Sequence, residues 1–335
     1  MNALNPDRVA IVVLLAAALL SAVLIALLRP LLQRYALARP NARSSHVVPT
    51  AQGAGIAVIA ATLGIATITA GLTGLVIPIA LLAATVFIAL VGFADDLRPI
   101  PVLPRLLLQA AAVGAIIFLS PAELRIFPAG PLWLERGVLL IAGLWFVNLV
   151  NFMDGLDLMT VAEAVPITAA MVLLGWLGEF PALPALVAAA LCGAMIGFAP
   201  FNRPVAKVFL GDVGSLPIGL LLGWGLLQLA WHQELVATLL LPLYYLADAT
   251  LTLIRRMARG ESFWEAHRTH FYQRATDNGF TVSRVTANVF VLNLALAALA
   301  IMSVGATTAV ACTLLLLGAL LVAITLYRFG HKRLS

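Results

Sequence analysis

Asp95 and Asp96 close an uncharged run, Leu75 to Ala94, that is long enough to cross a bilayer. Adjacent carboxylates resist joint ionisation unless a cation lies near. The pair is therefore either solvated at a membrane surface or serves a charged ligand. In NLVNFMDGLD (148–157), Asn148, Asn151, Asp154 and Asp157 recur every third residue. On a helical end they would stack as a ladder of oxygen ligands and amide donors, with Gly155 allowing a turn or a close backbone approach. A capping role would need only one of them. In FLGDVGSLPIG (209–219), glycines flank Asp212 and Val213, and Ser215 can cap the helix that follows. Such an end can seat a phosphate, and Asp212 suits a divalent ion. Hard oxygen ligands without a Cys or His cluster favour Mg²⁺ over Zn²⁺. An ordinary capped helix is the plain alternative. EAHRTHFYQR (265–274) interleaves His267, Arg268 and His270 ahead of Arg274, a pattern suited to lipid phosphate. His46 precedes Pro49, Thr50 and two glycines, which reads equally well as a simple turn.

The elements that carry these residues follow from composition. Of 335 residues, 62% are hydrophobic and 10% charged, whereas soluble domains carry about 25% charged residues. Apolar runs of membrane-spanning length recur, and they are continuous where a barrel would alternate. The expected fold is an all-α polytopic membrane protein of about eleven transmembrane helices, one catalytic domain over residues 1–335. The spans fall near 9–28, 55–73, 75–94, 103–120, 137–153, 157–177, 183–201, 214–230, 235–254, 285–304 and 306–327. The first lacks a clear small-residue cleavage site and reads as a retained span. Cys192 and Cys312 both fall inside spans and read as small apolar residues.

Basic residues orient the chain. With the N-terminus outside and the C-terminus cytoplasmic, seventeen of the twenty Lys and Arg residues lie inside, leaving Arg8, Arg125 and Arg136. The cytoplasmic loops then fall near 29–54, 95–102, 151–157, 202–213 and 255–284, and every polar residue singled out above lies in them or beside them. Chemistry on one face of a membrane has this distribution. The basic charge reports topology and anionic membrane lipids, with no nucleic-acid partner implied.

These motifs, in this order, resemble the polyprenyl-phosphate N-acetylhexosamine-1-phosphate transferases, over nearly the whole chain: H-x-x-P-T, GFxDD, N-x-x-N-x-x-D-G-x-D, F-x-G-D-x-G-S and a late histidine loop. The resemblance implies that Asn151 and Asp212 hold Mg²⁺, with Mn²⁺ a substitute, and that Asp95 and Asp96 line the reaction centre. It implies that Asp154 and Asp157 seat a uridine nucleotide and that His46, Arg268 and His270 lie near phosphates or the donor sugar. Asn148, Ser215 and His267 join the expected substrate-binding set. Many relatives carry clustered histidines where this chain reads His270-Phe271-Tyr272-Gln273. That departure looks like the O-antigen-initiating branch. The implied reaction moves N-acetylhexosamine 1-phosphate from a UDP-sugar to undecaprenyl phosphate on the cytoplasmic face of a bacterial inner membrane. A homodimer is the candidate assembly. The rival reading is a transporter or flippase, because Glu163 and Asp248 fall within expected spans.

Overall fold

The computed structural model describes residues 6–38, 49–261 and 268–332. Thirteen α-helices account for most of them: α1 (Pro6–Tyr35), α2 (Gly55–Thr73), α3 (Ile79–Leu97), α4 (Val102–Phe118), α5 (Leu132–Met153), α6 (Met159–Trp176), α7 (Ala182–Phe198), α8 (Asp212–Trp231), α9 (Leu235–Leu240), α10 (Leu243–Ala258), α11 (Phe271–Asp277), α12 (Val282–Ser303) and α13 (Thr308–Gly330). Among the described residues, nine are long and apolar enough to cross a membrane, and α4 is a shorter apolar helix. The chain is an all-α multi-pass membrane protein.

The bundle is built around α8. Its apolar window is 83% buried, against 22% for α1 and 28% for α13 at the periphery. Helices α2, α3, α5, α6 and α7 pack on α8, while α1 lies along α7 and α12 along α6. Large apolar side chains such as Leu27, Leu72 and Leu316 stay exposed. In water such a surface would aggregate; in a bilayer it faces lipid.

Three features depart from the expected spans. The run 235–254 is not one helix: α9 stops at Leu240 and α10 starts after Pro242. Proline lacks the amide that would continue the ladder. Helix α5 begins at Leu132, earlier than the expected 137, and so takes in Glu135 and Arg136. Both are buried because they have partners. Glu135 accepts from Arg125 at 2.9 Å and from the Ile126 amide at 2.7 Å. Arg136 donates to the carbonyls of Ile117 and Pro121. Finally, a small sheet joins distant loops: β1 (Leu37–Ala38) pairs antiparallel with β2 (Thr50–Gln52), which pairs parallel with β3 (Val208–Phe209). It ties the segment before α2 to the segment before α8.

Sidedness gives a direct expectation. In a background lacking Cys192 and Cys312, an impermeant thiol reagent should label Glu179→Cys in intact cells and spare Arg203→Cys. Both positions are exposed, at opposite ends of α7. Labelling of Arg203→Cys from outside would invert the topology.

Candidate active site

Four elements meet at the N-terminal end of α8. Asp95 and Asp96 are carried by the last turn of α3, whose close approach to α8 needs Gly92: a Cβ there would collide with the Asp212 carbonyl. Asp96 accepts the amides of Asp212 (2.9 Å) and Val213 (3.0 Å) and the side-chain amide of Gln52 (2.5 Å). It thus caps α8 from another helix, where a carboxylate is favoured by the dipole. Asp95 accepts from Arg105 at 2.8 Å and from the Ile100 amide at 2.5 Å, closing the α3–α4 turn. Its carboxylate also comes within hydrogen-bonding reach of Asp212. From the last turn of α5, Asn151 donates to Asp212 at 2.7 Å and to the buried Ser215 hydroxyl at 2.9 Å.

Three sequence expectations change here. The amides at the start of α8 do not seat a phosphate: Asp96 takes two of them, and those of Gly214 and Ser215 bond to Gly211 O. Ser215 is not the cap, since α8 already begins at Asp212 and its N-cap Gly211 has no side chain to offer. Nor do the four residues spaced by three form one ladder. Helix α5 ends at Met153, and each residue serves a different neighbour. Asn148 donates to Gln109 of α4 at 2.7 Å, and Asn151 reaches α8. Asp154 accepts from the Thr160 hydroxyl. Asp157 accepts the Ala206 amide at 3.1 Å.

The donor set at the α8 end is all oxygen, with three carboxylates and an amide. Among the described residues the bonded counter-cation is Arg105, and no donor reaches Asn151 Oδ1. Also among the described residues, no three Asp, Glu, His or Cys side chains form a ready ligand group for a metal. The chemistry fits a hard ion that draws its remaining ligands from water and phosphate, as magnesium does.

Residues 78–230 match the family described as "Glycosyl transferase family 4", a stretch that contains Asp95, Asp96, Asn151, Asp154, Asp157, Asp212 and Ser215. The chain is 26% identical over 296 residues to the decaprenyl-phosphate N-acetylglucosaminephosphotransferase of Mycobacterium tuberculosis (strain CDC 1551 / Oshkosh), covering 76% of this chain and 72% of that protein. The Mycobacterium leprae protein of the same name is 26% identical over 297 residues, covering 76% and 73%. The phospho-N-acetylmuramoyl-pentapeptide-transferase of Streptococcus pneumoniae (strain 70585) is 31% identical over 190 residues, covering 52% and 56%. Together these likenesses support the polyprenyl-phosphate hexosamine-1-phosphate transferase family as the one this chain resembles.

The last loop reaches the site indirectly. Asp248 of α10 is wholly buried and accepts the amides of Phe271 (2.9 Å) and Tyr272 (3.0 Å) and the Tyr244 hydroxyl (3.1 Å). His270 Nδ1 lies 3.3 Å from the same carboxylate, and its ring stacks on Tyr272. Tyr272 donates to Phe152 O at 3.0 Å, packed so closely on Gly155 that a Cβ there would clash with its hydroxyl. That contact, not an unusual backbone angle, is what Gly155 allows. The left-handed residue in this turn is Leu158 (φ 63°), whose amide is held by Asn202 Oδ1 at 2.7 Å. Arg268 pairs with Asp277 at 3.3 Å. His46 and His267 lie outside the described residues. Gln52, Arg105, Thr160, Asn202 and Tyr272 were not singled out from sequence. Arg105 carried a readable sign, being a lone charge in an otherwise apolar stretch from 99 to 108.

The two intramembrane carboxylates that favoured a transporter both have partners within the bundle. Glu163 accepts from Asn293 at 2.6 Å, and Asp248 holds the start of α11.

Asp154 retains some accessible surface, yet the protein mass around it raises its carboxyl. Burial pushes the pKa up to about 7, Asp96 and Asp157 add to the rise, and the Thr160 hydroxyl opposes it. An acid raised on folding stabilises below its unfolded pKa of about 3.9 and loses that contribution as pH climbs to the folded value. Asp154→Asn should therefore raise thermal stability, relative to the parent, more at pH 8 than at pH 5. Melting curves in metal-free detergent would show it, and equal shifts at both pH values would contradict the burial of this carboxyl.

Proposed function

We propose that the chain transfers an N-acetylhexosamine 1-phosphate from a UDP-sugar to undecaprenyl phosphate, releasing UMP, as the first step of O-antigen or another envelope polysaccharide. The observation that carries this reading is the convergence of Asp95, Asp96 and Asp212 with Asn151 at one end of the bundle. An acceptor whose tail stays in lipid presents its phosphate at that depth, and a nucleotide sugar arrives from the adjoining water. The names of the mycobacterial and streptococcal relatives place them in the same class of transfer.

In the reaction an acceptor phosphate oxygen attacks the β-phosphorus of the UDP-sugar while the bond to UMP breaks. One phosphoanhydride replaces another, so no ATP is consumed. A phosphate monoester, with a second pKa near 6, is already mostly ionised at neutral pH. Asp95 therefore has no proton it must remove. Its bonds to Arg105 and Ile100 fit a role in holding the α3 end in place. Asp96 fixes the α8 terminus, which in turn presents Asp212 to Asn151. Asp212 and Asn151 would hold Mg²⁺, with Mn²⁺ a substitute. The ion would supply the positive charge that two anionic substrates need beside three carboxylates. Asp157 and Asn202 brace the loop before β3, and Asp154 and Tyr272 shape the turn after α5, where the nucleotide is expected.

The test is product identification. Purified protein, Mg²⁺, undecaprenyl phosphate and a panel of UDP-N-acetylhexosamines, including 6-deoxy forms, should yield UMP and a lipid diphosphate sugar by mass spectrometry. An active preparation that turned over only UDP-N-acetylmuramoyl-pentapeptide would replace the O-antigen reading with the peptidoglycan one.

A further inference from the structure

Where α12 starts and α13 ends, the two helices leave a groove of about 590 Å³, within the range of small-molecule sites. Arg284 and Asn288, one turn apart on α12, face Tyr327, Arg328 and Lys332 of the α13 end across it, with no acidic side chain in the lining. Four arginines elsewhere face a carboxylate, Arg105 with Asp95, Arg125 with Glu135, Arg256 with Glu261 and Arg268 with Asp277. Among the described residues, Arg284, Arg328 and Lys332 enter no ion pair. The groove lies at the same end as the carboxylate cluster, since α11 carries Tyr272 to the turn after α5 and bonds to the α13 end through Arg274 and Asn278. No groove residue bonds to the cluster, however. Toward the opposite end the faces become apolar and open, with Val291 of α12 64% exposed and Leu320 and Ile324 of α13 at 55% and 49%.

A cationic pocket at a helix end, opening onto two bare apolar faces, matches an amphiphile with an anionic head. We infer that this groove binds an anionic diacyl phospholipid. Its phosphodiester sits against Arg284, Arg328 and Lys332, and its acyl chains lie along α12 and α13. A bound lipid here would brace α13, whose end supports α11 and hence the Tyr272 contact. The site is separate from the acceptor's, whose phosphate must reach Asp212, and it stands whether or not the proposed transfer is correct.

Native mass spectrometry of the full chain, equilibrated with phosphatidylglycerol or phosphatidylcholine in mixed micelles, tests this. Phosphatidylglycerol should be retained over phosphatidylcholine, and inorganic phosphate at millimolar concentration should not displace it. Each basic contact near a membrane surface is worth about fivefold in binding. The triple variant Arg284→Ala, Arg328→Ala, Lys332→Ala should therefore lose retention by at least about tenfold. Arg284→Lys with Arg328→Lys keeps the charge and should retain the lipid. Equal retention of both lipids, unchanged retention in the triple alanine variant, or displacement by undecaprenyl phosphate at equimolar concentration would each overturn the assignment.

Discussion

Asp212→Asn should reduce turnover about a hundredfold while leaving the protein folded and inserted. The carboxylate accepts from Asn151 at 2.7 Å and lies beside Asp95, so an amide of the same shape keeps the packing and removes one negative charge. Contacts to charged groups are worth about 1.5–3 kcal/mol each, and loss of the upper part of that range corresponds to about a hundredfold. Initial rates measured across a Mg²⁺ titration should show a raised metal requirement, with partial recovery in Mn²⁺. Asn151→Ala should follow the same pattern more mildly, because it removes a neutral ligand. A folded Asp212→Asn protein with a normal rate and an unaltered Mg²⁺ dependence would remove Asp212 from the proposed metal site.

Asp248→Ala should be the most destabilising single change near the last loop. It leaves the amides of Phe271 and Tyr272 and the hydroxyl of Tyr244 buried without their acceptor. Stripping one side of a buried charged network costs about 3–5 kcal/mol. Helix α11 should then detach, releasing Tyr272 from Phe152 and exposing residues 268–277 to protease. Asp248→Asn keeps one acceptor oxygen and should fall between. A melting temperature and digestion pattern like the parent's for Asp248→Ala would mean that α11 is held by its apolar packing alone.

Much of this arrangement was legible in the chain. Helix α2 spans the expected 55–73, and Asp95, Asp96, Asn151 and Asp212 stand out because carboxylates and amides are rare in so apolar a sequence. The division of labour among them was not legible. Asn148 and Asn151 share a residue type and a spacing, but the first meets Gln109 and the second Asp212, and only the placement of α4 and α8 around α5 decides that. Asp96 as a cap for α8 depends on a contact 116 residues away in sequence. The sheet that brings Gln52 beside it is built from strands of two and three residues, too short to leave a period. Pro242 was visible, but its effect was hidden by an apolar run on both sides that hydropathy alone joins into one span.

Reversible transfer at the Asp212 cluster would move a sugar phosphate between UMP and a lipid phosphate. Isotope exchange would report that reversal. Purified protein in detergent, given UDP-N-acetylhexosamine, Mg²⁺ and labelled UMP, should pass label into the UDP-sugar when undecaprenyl phosphate is present. Little or no exchange should occur without the lipid, or with Asp212→Asn. A folded, monodisperse preparation that passes no label with any UDP-N-acetylhexosamine would contradict the account, as would undiminished exchange in Asp212→Asn.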